Sequence, residues 1–64
     1  MNLKNNLKEI RNSNSLSQEN LAESVSVSRQ TIISIEKGVY QPSVTLAIKI
    51  AQKLKLKVED IFYL

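Results

Sequence analysis

Apolar residues recur at helical spacing along almost the whole chain, and no segment keeps the strict alternation of apolar and polar residues that indicates a half-buried β-strand. Leu3, Leu7 and Ile10 form an i, i+4, i+7 stripe, which the turn-favouring stretch RNSNS then interrupts. The pattern predicts an all-α domain in which the first helix carries this stripe.

Three serines stand where helices are expected to begin. Ser17 and Ser28 are each preceded by an apolar residue and followed four positions later by another, which is the spacing of a hydrophobic staple around a helix N-cap. Gly38, the only glycine, stands where a left-handed C-cap would end the third helix. The geometry predicted for residues 17–37 is that of a helix-turn-helix, and the alternative is an ordinary corner between two helices.

A fourth helix is predicted after the third capping serine, Ser43, and a short fifth helix or turn is predicted to close the core. The apolar residues that share one broad face of the fourth helix are Leu46, Ala47, Ile50, Ala51 and Leu54. Val58, Ile61 and Phe62 supply the apolar positions of the closing element. The sequence shows no repeat, low-complexity tract or linker, so residues 1–64 are predicted to form a single domain.

The composition argues against an enzyme. The chain of 64 residues has no cysteine and no histidine, which excludes thiolate chemistry and the usual zinc ligands. Glu59 and Asp60 are adjacent carboxylates, but they suit the start of a helix better than an acid–base pair. With one glycine there is no glycine-rich phosphate loop. We therefore expect no catalysis, no cofactor, no metal ion and no small-molecule ligand.

Charge and hydropathy narrow the choice of partner. No stretch approaches the roughly 20 apolar residues of a membrane span, and the N-terminal residues lack the apolar run of a secretory signal. The chain is accordingly expected to be soluble and cytoplasmic, with no membrane partner. Its net charge of +3 is a mild bias toward polyanionic partners, although many ordinary small proteins are as basic.

The third predicted helix has a polar face that its packing does not explain. With Ile32 and Ile35 directed into the core, Gln30 and Ser34 face directly away, and Lys37 joins them. Arg29 and Ile33 flank the same side, and the whole stripe lacks a carboxylate. A solvated face would more often mix charges, whereas neighbouring phosphates would disfavour Asp and Glu.

The residue types on this stripe match the chemistry of base edges in the major groove. Arginine can donate two hydrogen bonds to guanine, glutamine can pair with adenine, and an exposed isoleucine can contact a thymine methyl group. Each type is also common on ordinary surfaces, so the argument depends on their sharing one face. Double-stranded DNA is therefore the expected partner.

Glu36 differs from the rest of the helix because it lies beside the core, one turn beyond Ile32. A carboxylate there needs a cationic partner, and Arg11 at the end of the first helix is better placed than Arg29. We expect a structural ion pair between Arg11 and Glu36. The alternative is that Glu36 reaches solvent past the helix end.

The segment SQENLAESVSVSRQTIISIEKGVYQPS, preceded by LKEIR and followed by LAIKIAQKL, resembles the Cro/cI-type helix-turn-helix repressors, also called the Xre family. The resemblance covers roughly residues 3 to 62. It implies a five-helix lambda-repressor-like DNA-binding domain whose third helix enters a major groove, with the Arg11–Glu36 pair as the interior salt bridge of the family.

The resemblance also implies roles for individual residues. Gln18 matches a position that binds a backbone phosphate. The residues that match positions near bases or neighbouring phosphates are Ser28, Arg29, Gln30 and Ser34. The residues that match phosphate-side positions are Thr31, Lys37, Tyr40 and Ser43. For Tyr40, simple packing against the loop is an equal alternative.

Two positions depart from the family pattern. Ser26 stands in the turn where the family commonly has glycine, so a left-handed backbone there would be mildly strained. Asn20 occupies the position at which a capping box usually has an acid or glutamine. Both departures concern the shape of the turn rather than the polar face.

The first functional hypothesis is a sequence-specific regulator, a repressor that binds a palindromic operator as a homodimer, because one recognition helix contacts too few base pairs for useful specificity. The residues expected to form the dimer contact are Ile61, Phe62, Tyr63 and Leu64; alternatively, Phe62 and Leu64 fold back on the core. The second hypothesis is an antitoxin or another protein-interaction module with the same fold, which the lack of an evident toxin-binding segment disfavours.

Overall fold

A computed structural model of the protein describes residues 3–64, which form five helices and one small antiparallel sheet. In chain order the elements are β1 (Lys4–Asn5), α1 (Leu7–Ser13), α2 (Gln18–Ser24), α3 (Arg29–Glu36), α4 (Val44–Leu54), α5 (Val58–Ile61) and β2 (Phe62–Tyr63). The predicted five-helix, helix-turn-helix architecture is confirmed. None of the helices within residues 3–64 is both long and apolar enough to cross a membrane.

The three capping serines begin α2, α3 and α4 as predicted. The side chains of Ser17, Ser28 and Ser43 each accept a hydrogen bond from the backbone N–H of the third helical residue, at 3.0, 3.2 and 3.1 Å. Each serine thereby pairs one of the backbone donors that a helix start leaves without a partner. These caps fix where the two helices of the helix-turn-helix begin.

The first four helices end in the same way, with a residue in the left-handed conformation. These residues are Ser15, Ser26, Gly38 and Lys55, with φ of +56°, +61°, +77° and +58°. At each end the left-handed residue donates its N–H to the carbonyl three residues earlier, and the next residue donates to the carbonyl five residues earlier. This is the Schellman motif, and an apolar residue follows the left-handed position every time.

The two terminal segments correct the expectation that the chain contains no strand. Lys4 pairs with Tyr63 and Asn5 pairs with Phe62, so Leu3 precedes a strand and α1 begins only at Leu7. The Asn5 side chain accepts a hydrogen bond from the N–H of Leu7 at 3.1 Å. A two-residue strand is too short to show alternation, so the spacing of Leu3, Leu7 and Ile10 indicates a helix although Leu3 lies outside α1.

The core collects one face from every helix. Its fully buried large side chains are Leu7, Leu21, Ile32, Ile35, Ile50 and Ile61. Helix α4 contributes all five residues of its predicted apolar face to this core. α4 therefore supplies more buried residues than any other helix, as its broad apolar face predicts.

The C-terminal residues correct the predicted dimer contact. Ile61 is fully buried within this single copy, because α5 and β2 close the core, so its side chain cannot reach a second copy. Phe62 is also buried, and the small part of it that stays exposed lines a groove beside Val44 and Ile48. Tyr63 and Leu64 remain exposed. The alternative in which the end of the chain folds back is correct for Phe62 and wrong for Leu64.

Candidate nucleic-acid interface

Helix α3 is fixed to the body of the domain from both ends. Ile32 and Ile35 are fully buried, and Ser28 caps the first turn. At the other end the amide of Asn5 donates a 2.9 Å hydrogen bond to the carbonyl oxygen of Ile35. The exposed side of α3 is therefore presented by a helix held in a single orientation.

Five of the predicted DNA-binding residues line one groove beside the exposed side of α3. These residues are Ser28, Gln30, Thr31, Ser34 and Tyr40, and we call the space they line the recognition groove. Gln30 is exposed, Ser34 is half-buried, and the lining includes no carboxylate. Only uncharged hydrogen-bonding groups and an aromatic ring meet here, which suits contact with base edges and sugar–phosphate.

A second groove runs from the recognition groove along α4, and we call it the α4 groove. Thr31 and Tyr40 belong to both grooves. Ser43, another predicted residue, lines the α4 groove together with Thr45 and Lys49. The sequence prediction missed Thr45 and Lys49, because they lie beyond the motif and resemble any solvated helix positions.

Four predicted residues, Gln18, Arg29, Ile33 and Lys37, lie outside both grooves. Arg29 and Lys37 are exposed at the beginning and just after the end of α3, and Ile33 is half-buried. Ile33 is therefore less available to a thymine methyl group than the helical pattern suggested. The two cations extend the acid-free surface of α3 to either side of the recognition groove.

The hydroxyl groups of two predicted residues already have a structural role. Ser28 and Ser43 accept hydrogen bonds as N-caps, and the Ser28 Oγ also lies 3.0 Å from the Thr31 Oγ1. A serine hydroxyl that accepts a bond can still donate its own hydrogen. Ser43 therefore keeps its hydroxyl hydrogen for a phosphate oxygen while it caps α4, and the Ser28–Thr31 pair keeps one hydroxyl hydrogen between its two members.

The predicted ion pair is present beneath the helix-turn-helix. The Arg11 Nε lies 2.7 Å from the Glu36 Oε2, with side chains only 8% and 4% exposed. Arg11 also donates to the carbonyl oxygen of Leu16 at 2.7 Å. The pair connects α1 to the last residue of α3, and within residues 3–64 it is the only salt bridge.

Gln18 connects this ion pair to the exposed side of α3. Its Nε2 donates to the Glu36 Oε1 at 3.0 Å, which directs its Oε1 toward the Nη2 of Arg29 at 3.5 Å. The resemblance implied only a phosphate contact for Gln18. The contact with Glu36 had no local signal, because 18 positions separate the two residues along the chain.

Known proteins share this architecture. A model of the helix-turn-helix family HTH_3 matches residues 7–61. An uncharacterized HTH-type transcriptional regulator of Methanocaldococcus jannaschii is 57% identical over 60 residues, which span 94% of this chain and 91% of that protein. The uncharacterized HTH-type transcriptional regulator YgzD of Bacillus subtilis is 50% identical over 62 residues, spanning 97% and 94%. These names are those of regulators and not of enzymes.

A solved structure agrees with these relatives. The restriction-modification controller protein C.AhdI from Aeromonas hydrophila superposes with a TM-score of 0.79 at 30% sequence identity, covering 84% of this chain and 82% of that one. The family match agrees with two features of the structure, the pair of serine-capped helices and the buried Arg11–Glu36 ion pair. The chain belongs to the HTH_3 family of helix-turn-helix proteins, of the Cro/cI or Xre type.

Proposed function

We propose that this protein is a sequence-specific transcriptional regulator that represses by occupying a palindromic operator as a homodimer. The observation that carries the proposal is the acid-free exposed side of α3, held rigidly over a buried core. Five of the six carboxylates lie on α1, α2 and α5, and the only carboxylate of α3, Glu36, is neutralised by Arg11. Phosphates can approach α3 without meeting an unpaired negative charge.

The residues of α3 divide between base recognition and backbone contact. Gln30 and Ser34 occupy the middle of the exposed side and are proposed to meet base edges, with Arg29 beside them. Thr31, Lys37, Tyr40 and Ser43 are proposed to contact phosphates and set the register. Gln18 is proposed to orient Arg29 through its bond to that guanidinium, and a direct phosphate contact by Gln18 stays a prediction.

A homodimer is proposed because the exposed side of α3 is small. A single helix contacts only a few base pairs, whereas two copies related by a dyad contact half-sites about 34 Å apart. Tyr63 and Leu64 are proposed to take part in the contact. The apolar side of α4 formed by Val44 and Ile48 is proposed to join them, because both side chains are exposed beside a groove whose lining is apolar except for Glu59.

The test of this function is selection of bound duplexes from a random DNA pool, first with the unaltered protein and then with Gln30→Ala. We expect an enriched sequence with dyad symmetry. Gln30→Ala should cost about 1–3 kcal/mol at one base position in each half-site and little elsewhere. The selected operator, placed over a promoter in a transcription assay, should lower transcript yield when the protein is added.

The matched control is Asn12→Ala, which removes an exposed amide side chain from α1 that lines neither the recognition groove nor the α4 groove and should leave the preferred sequence unchanged. Equal loss on every sequence for Gln30→Ala would remove Gln30 from base recognition. If no sequence is enriched at low salt, the proposed function is wrong. Enrichment without dyad symmetry would leave a DNA-binding protein but reject the palindromic operator.

A further inference from the structure

A third groove continues the acid-free surface beyond the residues assigned to DNA so far. It is lined by Ser24, Val25, Ser26, Lys49, Gln52 and Lys53, and we call it the lysine groove. It shares Val25, Ser26 and Lys49 with the α4 groove. The three grooves therefore form one continuous tract from the exposed side of α3 to the C-terminal half of α4.

No described residue that lines this tract is a carboxylate. Lys49 and Lys53 are exposed, and neither takes part in a salt bridge within residues 3–64. Two unpaired cations beside hydroxyl groups, with no neutralising acid in the lining, form a surface that attracts a polyanion. The rest of the tract supplies hydroxyl donors from Thr31, Ser43 and Thr45.

The sequence of α4 explains why its cations fall on one side. Thr45, Lys49 and Lys53 recur every four residues, so they form one stripe along the helix. Val44 and Ile48 form a separate stripe on the other flank of the buried face. The cationic stripe faces the turn of the helix-turn-helix, and the apolar stripe faces the groove of Leu3 and Val58.

We propose that Lys49 and Lys53 bind consecutive backbone phosphates of the same DNA strand that passes Thr31, Tyr40 and Ser43. The proposal rests on the DNA-binding function and extends its footprint past the helix-turn-helix motif. Four helical residues separate the two lysines by roughly 6 Å along α4, whereas phosphates of one strand advance about 3.4 Å along the duplex axis per nucleotide. Each ammonium therefore meets a different phosphate.

The salt dependence of DNA affinity counts such contacts. Each neutralised phosphate adds about 0.9 to the magnitude of the slope of log affinity against log salt concentration, whatever the base sequence. Lys49→Gln and Lys53→Gln should each lower that magnitude by about 0.9, and the double variant by about 1.8. The affinities for cognate and random duplexes should fall by the same factor, because phosphates carry no sequence information.

Lys57→Gln is the matched control, since Lys57 is an exposed lysine that lines none of the three grooves. It should leave the salt slope unchanged. Circular dichroism of each variant verifies that the helices are retained. Slopes unchanged in Lys49→Gln and Lys53→Gln, or reduced equally in Lys57→Gln, would overturn the proposal.

The proposed phosphate contacts can be wrong while the proposed function is right, and the experiments distinguish the two cases. If the unaltered protein selects a DNA sequence and Gln30→Ala changes the selected sequence, DNA recognition is supported even when the two lysine variants leave the salt slope unchanged. If the unaltered protein shows no salt-dependent affinity for DNA, both proposals fail together. A loss confined to the cognate sequence in the lysine variants would assign Lys49 and Lys53 to base recognition and reject the phosphate contact.

Discussion

At the scale of single residues, the most costly group to bury is the Arg11–Glu36 pair. Removing two charges from water is expensive, and their attraction compensates only when the geometry is good and the remaining donors are satisfied. Here Arg11 also donates to the Leu16 carbonyl, and Gln18 donates to Glu36. The charges are satisfied as a group, so removing one member leaves the other without its partner.

We expect Arg11→Met to destabilise the fold by about 3–5 kcal/mol, because it leaves a buried carboxylate without its cation. A domain of this size has a total stability of only about 3–10 kcal/mol, so the single variant should lose a large part of its free energy of unfolding. The double variant Arg11→Met, Glu36→Leu removes both charges and should recover a cooperative unfolding transition within about 2 kcal/mol of the unaltered protein. Urea unfolding measures the free energy of unfolding of the single and double variants.

The comparison between the variants decides whether the two residues act as a unit. If Arg11→Met and Glu36→Leu are each mild and their effects add in the double variant, the pair contributes no coupling and its burial is incidental. If the single variants do not fold at all, the regained transition of the double variant is itself the expected outcome. A double variant that also fails to fold would contradict the argument.

At the scale of elements, the ends of four helices share one backbone conformation but carry different residues at the left-handed position. Four helices end in the same left-handed turn, but only one of the four left-handed positions has glycine. Ser26 is the instructive case, because it lies in the turn between α2 and α3. Its φ of +61° confirms the strained turn inferred from the missing glycine.

Ser26→Gly should raise the stability of the domain by up to about 1 kcal/mol, since a left-handed conformation costs a non-glycine residue about 1–2 kcal/mol and the greater freedom of unfolded glycine offsets part of the gain. Gly38→Ala is the reciprocal change, with φ of +77° and open space around the added methyl group. It should destabilise by about 1 kcal/mol through the backbone alone.

Thermal unfolding measures both changes, because about 1 kcal/mol corresponds to a shift in Tm of roughly 4–8 °C in a domain this small. The two variants should move Tm in opposite directions. A lower Tm for Ser26→Gly would show that the serine side chain contributes more in the turn than the backbone strain costs. The preferred DNA sequence serves as the control. Ser26→Gly should leave it unchanged, because base recognition is assigned to α3.

The parts of the fold that the sequence predicted are those with a local cause. Capping serines, the glycine at the end of α3 and the apolar face of α4 each act within a few residues, so their pattern is visible in a single chain. The pairing of β1 with β2 joins residues about 60 positions apart and leaves no periodicity of its own. The burial of Phe62 follows from that pairing, and for this reason the sequence left it as one of two alternatives.

The candidate site also contains residues that a local pattern predicts and residues that only the packing of the helices identifies. Gln30 and Ser34 were found because helical geometry fixes which face opposes Ile32 and Ile35. The bond from Gln18 to Glu36 depends on how α2 crosses α3, which no local pattern states. Lys49 became a candidate only when the structure brought α4 beside the turn of the helix-turn-helix.

At the scale of the whole molecule, α4 separates two surfaces with different chemistry. Its Thr45, Lys49 and Lys53 stripe belongs to the tract that continues from α3, and its Val44 and Ile48 stripe is apolar. Val44 is 76% exposed and Ile48 is 43% exposed. The proposed symmetric pair needs a contact placed away from the DNA, and the apolar side of α4 is the surface proposed for it.

The last prediction is that Val44→Glu weakens self-association. A carboxylate buried without a partner in an apolar contact is strongly disfavoured, and a dyad places the change in the interface twice. The dimer dissociation constant should rise at least tenfold, which corresponds to about 1.4 kcal/mol. Sedimentation equilibrium over a range of protein concentrations measures this. Val39→Glu is the control, since Val39 is 79% exposed but lies in the link between α3 and α4, outside the apolar groove.

The same experiment separates the possible occupants of the apolar side of α4. If Val44→Glu loses dimerisation and Val39→Glu keeps it, the second copy occupies that side. If the unaltered protein stays monomeric while two copies bind one operator cooperatively, the DNA itself brings the copies together. If dimers form and neither substitution changes them, the contact lies outside the apolar side of α4, and deletion of Tyr63 and Leu64 then tests whether those two residues form it.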